Sequence, residues 1–219
     1  MKVAIIGATG FVGSPILAET VSRDRHDITA IVRHPDKVPA GPRVAAHACD
    51  IYATATLAAL LRGHDAVIHA FAPGRATSEA EVLDKSFRGH QSIIQAAKDA
   101  GVPRLLGVGG AASLMTAEGV EYIDSSLWNK DFDAHRNAIL GTRSLYYLLK
   151  SETVLDWVFL APSVMLRPGK RTGAFREGKD HVLFDTEGVS HISLEDYAVA
   201  MVNELEQPLH HRERFTVGY

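Results

Sequence analysis

The sequence predicts an α/β protein whose strands form a doubly wound parallel sheet, and three observations lead to that prediction. Short apolar runs typical of strands alternate with longer segments whose apolar residues have helical spacing. The run at 65–71 is apolar nearly throughout, as expected for a strand covered by helices on both faces. The run at 2–6 leads into a glycine-rich turn at 7–13 and then into a predicted helix. This order of strand, turn and helix is typical of the first unit of a Rossmann fold.

Length and composition indicate one globular domain. A chain of 219 residues can fill one core, and 46% hydrophobic with 22% charged residues is ordinary for a soluble protein. We therefore expect a single domain over residues 1–219, in which residues 163–219 contribute most of a small C-terminal substrate lobe. The net charge of −3 argues against nucleic acid or an anionic membrane as a partner, because both favour a basic surface.

The single cysteine, Cys49, cannot form an intramolecular disulfide and has no surrounding pattern that resembles a metal site. A reducing compartment is therefore expected. The first strand starts at residue 2 or 3, which leaves no room for a signal peptide, and no apolar run has the length of a membrane span. These features together favour a cytoplasmic protein.

The turn at 7–13 has the glycine pattern G-x-x-G-x-x-G. Glycine lets the chain turn sharply at the first position, lets a pyrophosphate approach the backbone at the second, and lets helix pack close to strand at the third. Free N–H groups at the helix N-terminus would then bind the pyrophosphate of a dinucleotide, although a purely structural turn could share the pattern. The predicted cofactor-binding residues of this turn are Gly7, Thr9, Gly10, Phe11, Val12 and Gly13.

The second predicted strand, 27–32, ends at Arg33. At this distance from the glycines a carboxylate would bind the ribose 2′-hydroxyl of NAD(H), whereas an arginine accommodates the 2′-phosphate of NADP(H). His34 and Lys37 add further basic groups, and the nearest acid is Asp36. NADP(H) is therefore favoured, with NAD(H) as the alternative, and the competing interpretation of Arg33 is a surface residue that only ends a strand.

The next two predicted strands, 43–50 and 65–71, are separated by a short helix at 54–62. Ligands of open α/β sheets lie at the carboxyl ends of the strands, which adds five candidates to the cofactor site. They are Asp50 and Ile51 after the third strand, and Ala70, Phe71 and Ala72 after the fourth. His69, inside the fourth strand, is interpreted as a hydrogen-bonded core histidine.

The second half of the chain continues the alternation as far as residue 162. Helices are predicted at 81–100 and 131–150, each followed by a strand, at 104–109 and 155–160. The two amphipathic helices could face solvent or a second subunit, so a monomer and a homodimer both remain open. The basic run at 167–179 is interpreted as a solvated loop rather than a mobile lid.

The chain is predicted to end with a helix and a last strand. The helix covers 194–201 and is capped by Ser193, and the strand covers 214–217.

Five segments together resemble the atypical short-chain dehydrogenase/reductases: the glycine turn, Arg33, residues 109–113, residues 155–157 and residues 191–197. Within that family the chain is most similar to the NAD(P)H-binding group of NADH-flavin reductase, biliverdin-reductase-B-like and NmrA-like proteins. The resemblance covers nearly the whole chain. It implies a Rossmann fold, a nicotinamide cofactor on the glycines and Arg33, and a substrate pocket between the strand ends and the C-terminal lobe.

The resemblance also implies where catalytic residues should lie. Members with dehydrogenase or epimerase chemistry use a serine after the fifth strand, a role that Ser113 can fill, and a Tyr-x-x-x-Lys pair on the next helix. The best alignment places Phe132 and Arg136 in the positions of that pair. Arg136 could still bind ribose, but its high pKa makes it a poor proton carrier. Tyr122 or His135 could supply a titrating group instead.

The missing pair counts against carbonyl reduction and epimerisation by the usual mechanism, and much less against reduction of a flavin or quinone. Such an acceptor takes hydride directly and can take its proton from water. The predicted function is therefore an NAD(P)H-dependent oxidoreductase acting on a small-molecule acceptor of this kind. Phe71, Trp128 and Phe132 are possible stacking surfaces, whereas Trp157 is interpreted as core.

Two alternatives remain open at the level of the sequence. The first is a non-catalytic, NmrA-like regulatory protein that senses NAD(P). The second is an NAD-dependent epimerase or dehydratase that uses Tyr122 as its acid/base residue.

Overall fold

The computed structural model describes residues 1–74 and 78–219. These residues form ten strands and five α-helices. The strands are β1 (Lys2–Ile6), β2 (Asp27–Val32), β3 (Val44–Ala48), β4 (Ala66–His69), β5 (Arg104–Val108), β6 (Asp156–Pro162), β7 (Met165–Arg167), β8 (Arg176–Gly178), β9 (His191–Ser193) and β10 (Glu213–Gly218). The helices are α1 (Gly13–Ser22), α2 (Thr54–Leu61), α3 (Glu79–Ala100), α4 (Arg136–Lys150) and α5 (Leu194–Glu206).

Eight strands form the central sheet in the order β3-β2-β1-β4-β5-β6-β10-β8. Every neighbouring pair is parallel except β10 and β8, which pair antiparallel at one edge. The strand order runs outward from β1 in both directions, so the predicted doubly wound Rossmann-type α/β fold is confirmed. It also places the topological switch point, where such folds bind ligands, between the carboxyl ends of β1 and β4.

The two faces of the sheet are both covered, which explains the nearly continuous apolar strands. On β1, Ala4 and Ile6 belong to the core cluster that contains α2, α3 and α4. Val3 and Ile5 belong to the cluster that contains α1 and α5. All four side chains are buried, as expected when successive residues of a strand face opposite layers.

Residues 163–219 continue the main sheet as well as forming a smaller one. β10 pairs with β6, and α5 packs on α1, while β7 and β9 form a separate two-stranded parallel sheet. Ser193 caps α5 as predicted, since its hydroxyl accepts the N–H of Asp196. Whether this region forms the substrate lobe stays a prediction.

The buried carboxylate of Asp196 holds the loop after β7. It accepts the N–H groups of Thr172 and Gly173 and the hydroxyls of Thr172 and Tyr219. Burial opposes ionisation of Asp196, but these hydrogen bonds outweigh it and its pKa is lowered. The basic run at 167–179 is thus fastened at its centre, and Arg171 also binds the carboxylate of Glu19 through two hydrogen bonds of 2.7 and 2.9 Å.

The helix predicted over 131–150 begins later than expected. Residues Lys130–His135 form a 3-10 turn, and α4 starts at Arg136 after a break at His135, where φ is −122°. Asn129 caps the start of this 3-10 segment, because its side-chain oxygen accepts the N–H of Asp131. Among the described residues, no helix has the length and apolarity that crossing a membrane requires.

Candidate nucleotide site

A cleft of about 590 Å³ lies at the carboxyl ends of the central strands. Every residue predicted to bind the cofactor lines it except Gly13, which lies beneath the turn. The lining residues are Ile6, Gly7, Thr9, Gly10, Phe11, Val12, Ile31, Val32, Arg33, His34, Lys37, Cys49, Asp50, Ile51, Tyr52, Ala70, Phe71, Ala72, Pro73, Gly74, His90, Val108, Gly109 and Thr142.

The glycine turn has no room for side chains at its two ends. Gly7 has φ = +82°, and a β-carbon there would lie 2.4 Å from the carbonyl oxygen of Ala70. A β-carbon on Gly13 would lie 2.1 Å from the carbonyl oxygen of Gly7. The first glycine therefore makes the turn and the last brings α1 against the end of β1, as the pattern predicts.

The start of α1 offers unpaired donors to the cleft. Val12 occupies the N-cap position without a side-chain cap, and the first turn of the helix carries no acidic residue. In the described parts of the chain, the N–H groups of Phe11 and Val12 have no hydrogen-bond acceptor. Free amides and the positive end of the helix dipole are the features that bind a pyrophosphate, so the turn fits a dinucleotide.

Basic residues line the cleft beyond the end of β2. The guanidinium of Arg33 lies against Gly74, where a β-carbon would come within 3.0 Å of it. His34 and Lys37 belong to the same part of the lining. Among the side chains that the structure describes, neither Arg33 nor Lys37 has an acidic partner, so both charges are available to an anion.

An apolar wall follows at the ends of β3 and β4. The ring of Phe71 lies on α3 at Gly89, where a β-carbon would come within 2.2 Å of it. Tyr52 meets Phe71 edge-on at a centroid distance of 6.2 Å, and Ile51 lies beside them. Such a surface suits the flat face of an aromatic base.

Two histidines form a buried pair behind this wall. His69 is 1% and His90 3% exposed, and His69 Nε2 lies 3.0 Å from His90 Nδ1. Burial lowers the pKa of His90 to about 4, and burial together with His90 lowers the pKa of His69 well below its usual range. The interpretation of His69 as a hydrogen-bonded core histidine agrees with this geometry, and both imidazoles are neutral near pH 7.

Ser113 does not line the cleft. It ends a short 3-10 turn after β5, is fully buried, and its hydroxyl has no hydrogen-bond partner within the described residues. The Arg214 guanidinium binds its carbonyl oxygen. The cleft is lined near this point by Val108, Gly109 and Thr142 instead.

Tyr122 and Arg136 both contact Trp128, in an aromatic cluster outside the cleft lining. The ring of Trp128 lies 5.5 Å from Tyr122 and 5.6 Å from Phe132, and the Arg136 guanidinium lies 5.4 Å from it. The Arg136 guanidinium nitrogen also lies 3.5 Å from a carboxylate oxygen of Asp133. The break before α4 separates Phe132 from the helix that begins at Arg136. Phe132 and Arg136 therefore do not reproduce the geometry of a Tyr–Lys pair.

The phenol of Tyr122 is enclosed. The residue is 4% exposed, its hydroxyl accepts the N–H of Asn129 at 3.4 Å, and burial raises its pKa. A buried phenol with a raised pKa is a weak proton donor at neutral pH. His135 is exposed on the same segment and does not line the cleft.

Comparison with known proteins agrees with the geometry of the cleft. The sequence pattern of the NAD(P)H-binding family matches residues 7–208. The chain belongs to the NAD(P)H-binding family. The match begins at the first glycine of the turn and ends after α5, so this NAD(P)H-binding chain shares the family pattern over nearly its whole length.

Relatives cover the same length. The uncharacterized protein YwnB of Bacillus subtilis is 38% identical over 222 residues, covering 99% of this chain and 98% of YwnB. The crystal structure of the putative epimerase from Bacteroides thetaiotaomicron has 40% identity and a TM-score of 0.89, covering 100% of this chain and 96% of that one. A putative NADH-flavin reductase from Streptococcus pneumoniae has 30% identity and a TM-score of 0.84, covering 100% and 99%.

Sequence reasoning missed several lining residues, among them the polar side chains of Tyr52, His90 and Thr142. His90 carried a partial signal, because it precedes Ile93 and Ile94 by three and four residues and so falls on the buried face of the predicted helix. Nothing in the local pattern marks Thr142, which reaches the cleft through the packing of α4 beside Gly110.

Proposed function

We propose that this protein is an NADPH-dependent reductase that delivers hydride to a flavin, a quinone or a similar conjugated small molecule. The observation that carries the proposal is the combination of a glycine cradle with free amides and a cleft end without a proton-donating side chain. When bound, the reduced nicotinamide supplies the hydride. The residues of the chain hold the cofactor, orient it and shape the acceptor side.

Selection of NADPH rests on the cleft beyond β2. Arg33 has no acidic partner in the described part of the chain and lies against the Gly74 backbone, so it can bind a 2′-phosphate without breaking an existing ion pair. Lys37 adds a second cation, whereas the carboxylate of Asp50 accepts a hydrogen bond of 3.1 Å from the N–H of Tyr52. An arginine in this position is the usual feature that accommodates NADP(H).

The choice of acceptor rests on the other end of the cleft. The lining there consists of Val108, Gly109 and Thr142, and Thr142 uses its hydroxyl to bond the carbonyl of Ala138 at 3.3 Å. A carbonyl substrate needs a positioned acid to protonate the oxygen as hydride arrives. A flavin or quinone tolerates the absence of one, because it can take its proton from water.

Similarity to the Streptococcus pneumoniae protein, a putative NADH-flavin reductase, supports this class of acceptor. Similarity to the Bacteroides thetaiotaomicron protein, a putative epimerase, supports the alternative of an epimerase or dehydratase. An epimerase or dehydratase would have to use Tyr122 as its acid/base residue. The enclosed position of the Tyr122 phenol weighs against that alternative.

A regulatory NAD(P)-sensing protein is the second candidate. It is favoured by the fact that Ser113, Tyr122 and Arg136 all lie outside the cleft lining. A pull-down with and without NADP⁺ distinguishes it, since a sensor changes its set of partners and a reductase does not.

Steady-state oxidation of NADPH, followed by absorbance with a panel of flavins and quinones, tests the proposed reductase. We expect turnover with at least one acceptor and none with simple aldehydes or ketones. A protein that binds NADPH but shows no turnover above background with any acceptor would not be a reductase of this class. Tyr122→Phe separates the epimerase alternative, which requires the tyrosine hydroxyl and loses all activity without it.

A further inference from the structure

Two buried histidines connect separate parts of the cleft. His69 ends β4, directly before the cleft residues 70–74, and His90 lies in the middle of α3. We propose that the hydrogen-bond chain from Phe71 through His69 and His90 to Gly141 is a positioning element, which fixes the 70–74 segment and α4 at the separation that a dinucleotide requires. This inference rests on the proposed binding of NADPH.

The chemistry of the end groups fixes the direction of every hydrogen bond. The N–H of Phe71 can only donate, so His69 Nδ1 accepts at 3.4 Å. The carbonyl of Gly141 can only accept, so His90 Nε2 donates at 3.1 Å. A neutral imidazole carries one N–H, so His69 Nε2 donates to His90 Nδ1. One arrangement of tautomers therefore satisfies all four ring nitrogens.

Burial keeps this arrangement in place near neutral pH. Both imidazoles are almost completely enclosed. A proton on His90 Nδ1 would face the N–H of His69 Nε2 across 3.0 Å, and a proton on His69 Nδ1 would face the N–H of Phe71 across 3.4 Å. The low pKa of His90 has desolvation as its main cause, and His69 is the titratable side chain in contact with it. The chain of hydrogen bonds therefore keeps one arrangement of tautomers over the physiological range of pH.

Close contacts of α3 near His90 couple its position to both ends of the hydrogen-bond chain, at Phe71 and at Gly141. Next to it in sequence, Gly89 carries the ring of Phe71, with no space for a β-carbon. One turn earlier, Ser86 touches α4 at Gly141, where a β-carbon would lie 2.4 Å from the Ser86 hydroxyl oxygen. A shift of His90 would therefore move the aromatic wall and the helix that carries Thr142 together.

The test compares the dissociation constant for NADPH among three variants near neutral pH, by fluorescence titration. His90→Phe removes both hydrogen bonds of the ring while keeping its bulk, and we expect roughly a tenfold or larger increase in Kd, about 1.4 kcal/mol. His90→Gln retains one donor and one acceptor at similar reach and should recover most of the affinity. His64→Phe is the matched control, since His64 also makes two hydrogen bonds, to Leu61 and Thr29, away from the cleft.

Thermal unfolding of each variant is measured in parallel, because a merely structural histidine lowers the melting temperature without this pattern in Kd. Equal Kd values in the wild type and His90→Phe, or an equal loss in His64→Phe, would overturn the inference. If His90→Phe does not fold, His90→Asn replaces it, since the shorter amide reaches His69 but not Gly141 and should also weaken binding. A wild-type protein that binds no NADPH would overturn the inference and the proposed function together, whereas normal wild-type binding with unaffected variants removes the inference alone.

Discussion

Arg33→Ala should convert a cofactor preference for NADPH into near indifference. The Arg33 guanidinium lines the cleft, lies against Gly74, and has no competing carboxylate among residues 1–74 and 78–219. A hydrogen bond between charged groups contributes about 1.5–3 kcal/mol. At 1.4 kcal/mol for each factor of ten, its loss raises the Kd for NADPH roughly ten- to a hundredfold. The Kd for NADH should hardly change, because NADH has no 2′-phosphate.

Fluorescence titration with both reduced cofactors measures this effect directly. Arg62→Ala is the matched control: Arg62 is an exposed arginine at the end of α2, it does not line the cleft, and its removal changes the net charge equally. Long-range electrostatics would lower NADPH affinity in both variants and would weaken as salt is added. An equal loss of NADPH and NADH affinity in Arg33→Ala would refute the assignment of Arg33 to the 2′-phosphate.

Three further predictions follow from the same geometry. Because the pKa of His90 falls from 6.5 to about 4 on folding, the unfolded state binds the extra proton first, and His90 should lower the stability by roughly 3 kcal/mol as pH drops from 6.5 to about 4, in addition to the contribution of His69 in the same direction. Urea denaturation across this range measures the decline, which His90→Gln should make shallower by removing the contribution of His90; an identical slope in the variant contradicts the assignment. Gly13→Ala should lower NADPH affinity and stability together, since the new β-carbon would lie 2.1 Å from the Gly7 carbonyl oxygen; unchanged calorimetric binding would show that the turn can yield. Asp196→Asn should lower the free energy of unfolding by roughly 2–3 kcal/mol, because an NH2 donor replaces one oxygen that accepts hydrogen bonds from the 172–173 loop or Tyr219. Limited proteolysis should then cut that loop faster. Wild-type stability and cleavage rates would disprove this role.

The sequence was sufficient for the fold and for locating the glycine turn and Arg33, which line the candidate cleft. Apolar runs identified β1, β4, β5 and β6 because both faces of these strands are buried. The glycine spacing identified the turn because only residues without side chains fit between the ends of β1, β4 and α1. Arg33 could be located from its distance to that turn, since consecutive β-α-β units have nearly constant length.

The surroundings of the predicted catalytic residues were harder to predict because they depend on how distant segments pack. Ser113 follows the expected strand, yet the turn that carries it buries the side chain, and Arg214 binds its carbonyl from β10. Tyr122 and Arg136 gather around Trp128, a contact that neither residue's neighbours in sequence reveal.

The sequence by itself determined the order of strands and helices, the place of the glycine turn and the charge next to it, because these follow from local periodicity and from steric rules within a few residues. Tertiary structure decided which side chains meet in the cleft. His69 and His90 are 21 positions apart, and Gly141 is a further 51, so their hydrogen bonds exist only once β4, α3 and α4 are packed together. Contacts of that kind depend on three elements at once, and no pattern within any one of them encodes the distance.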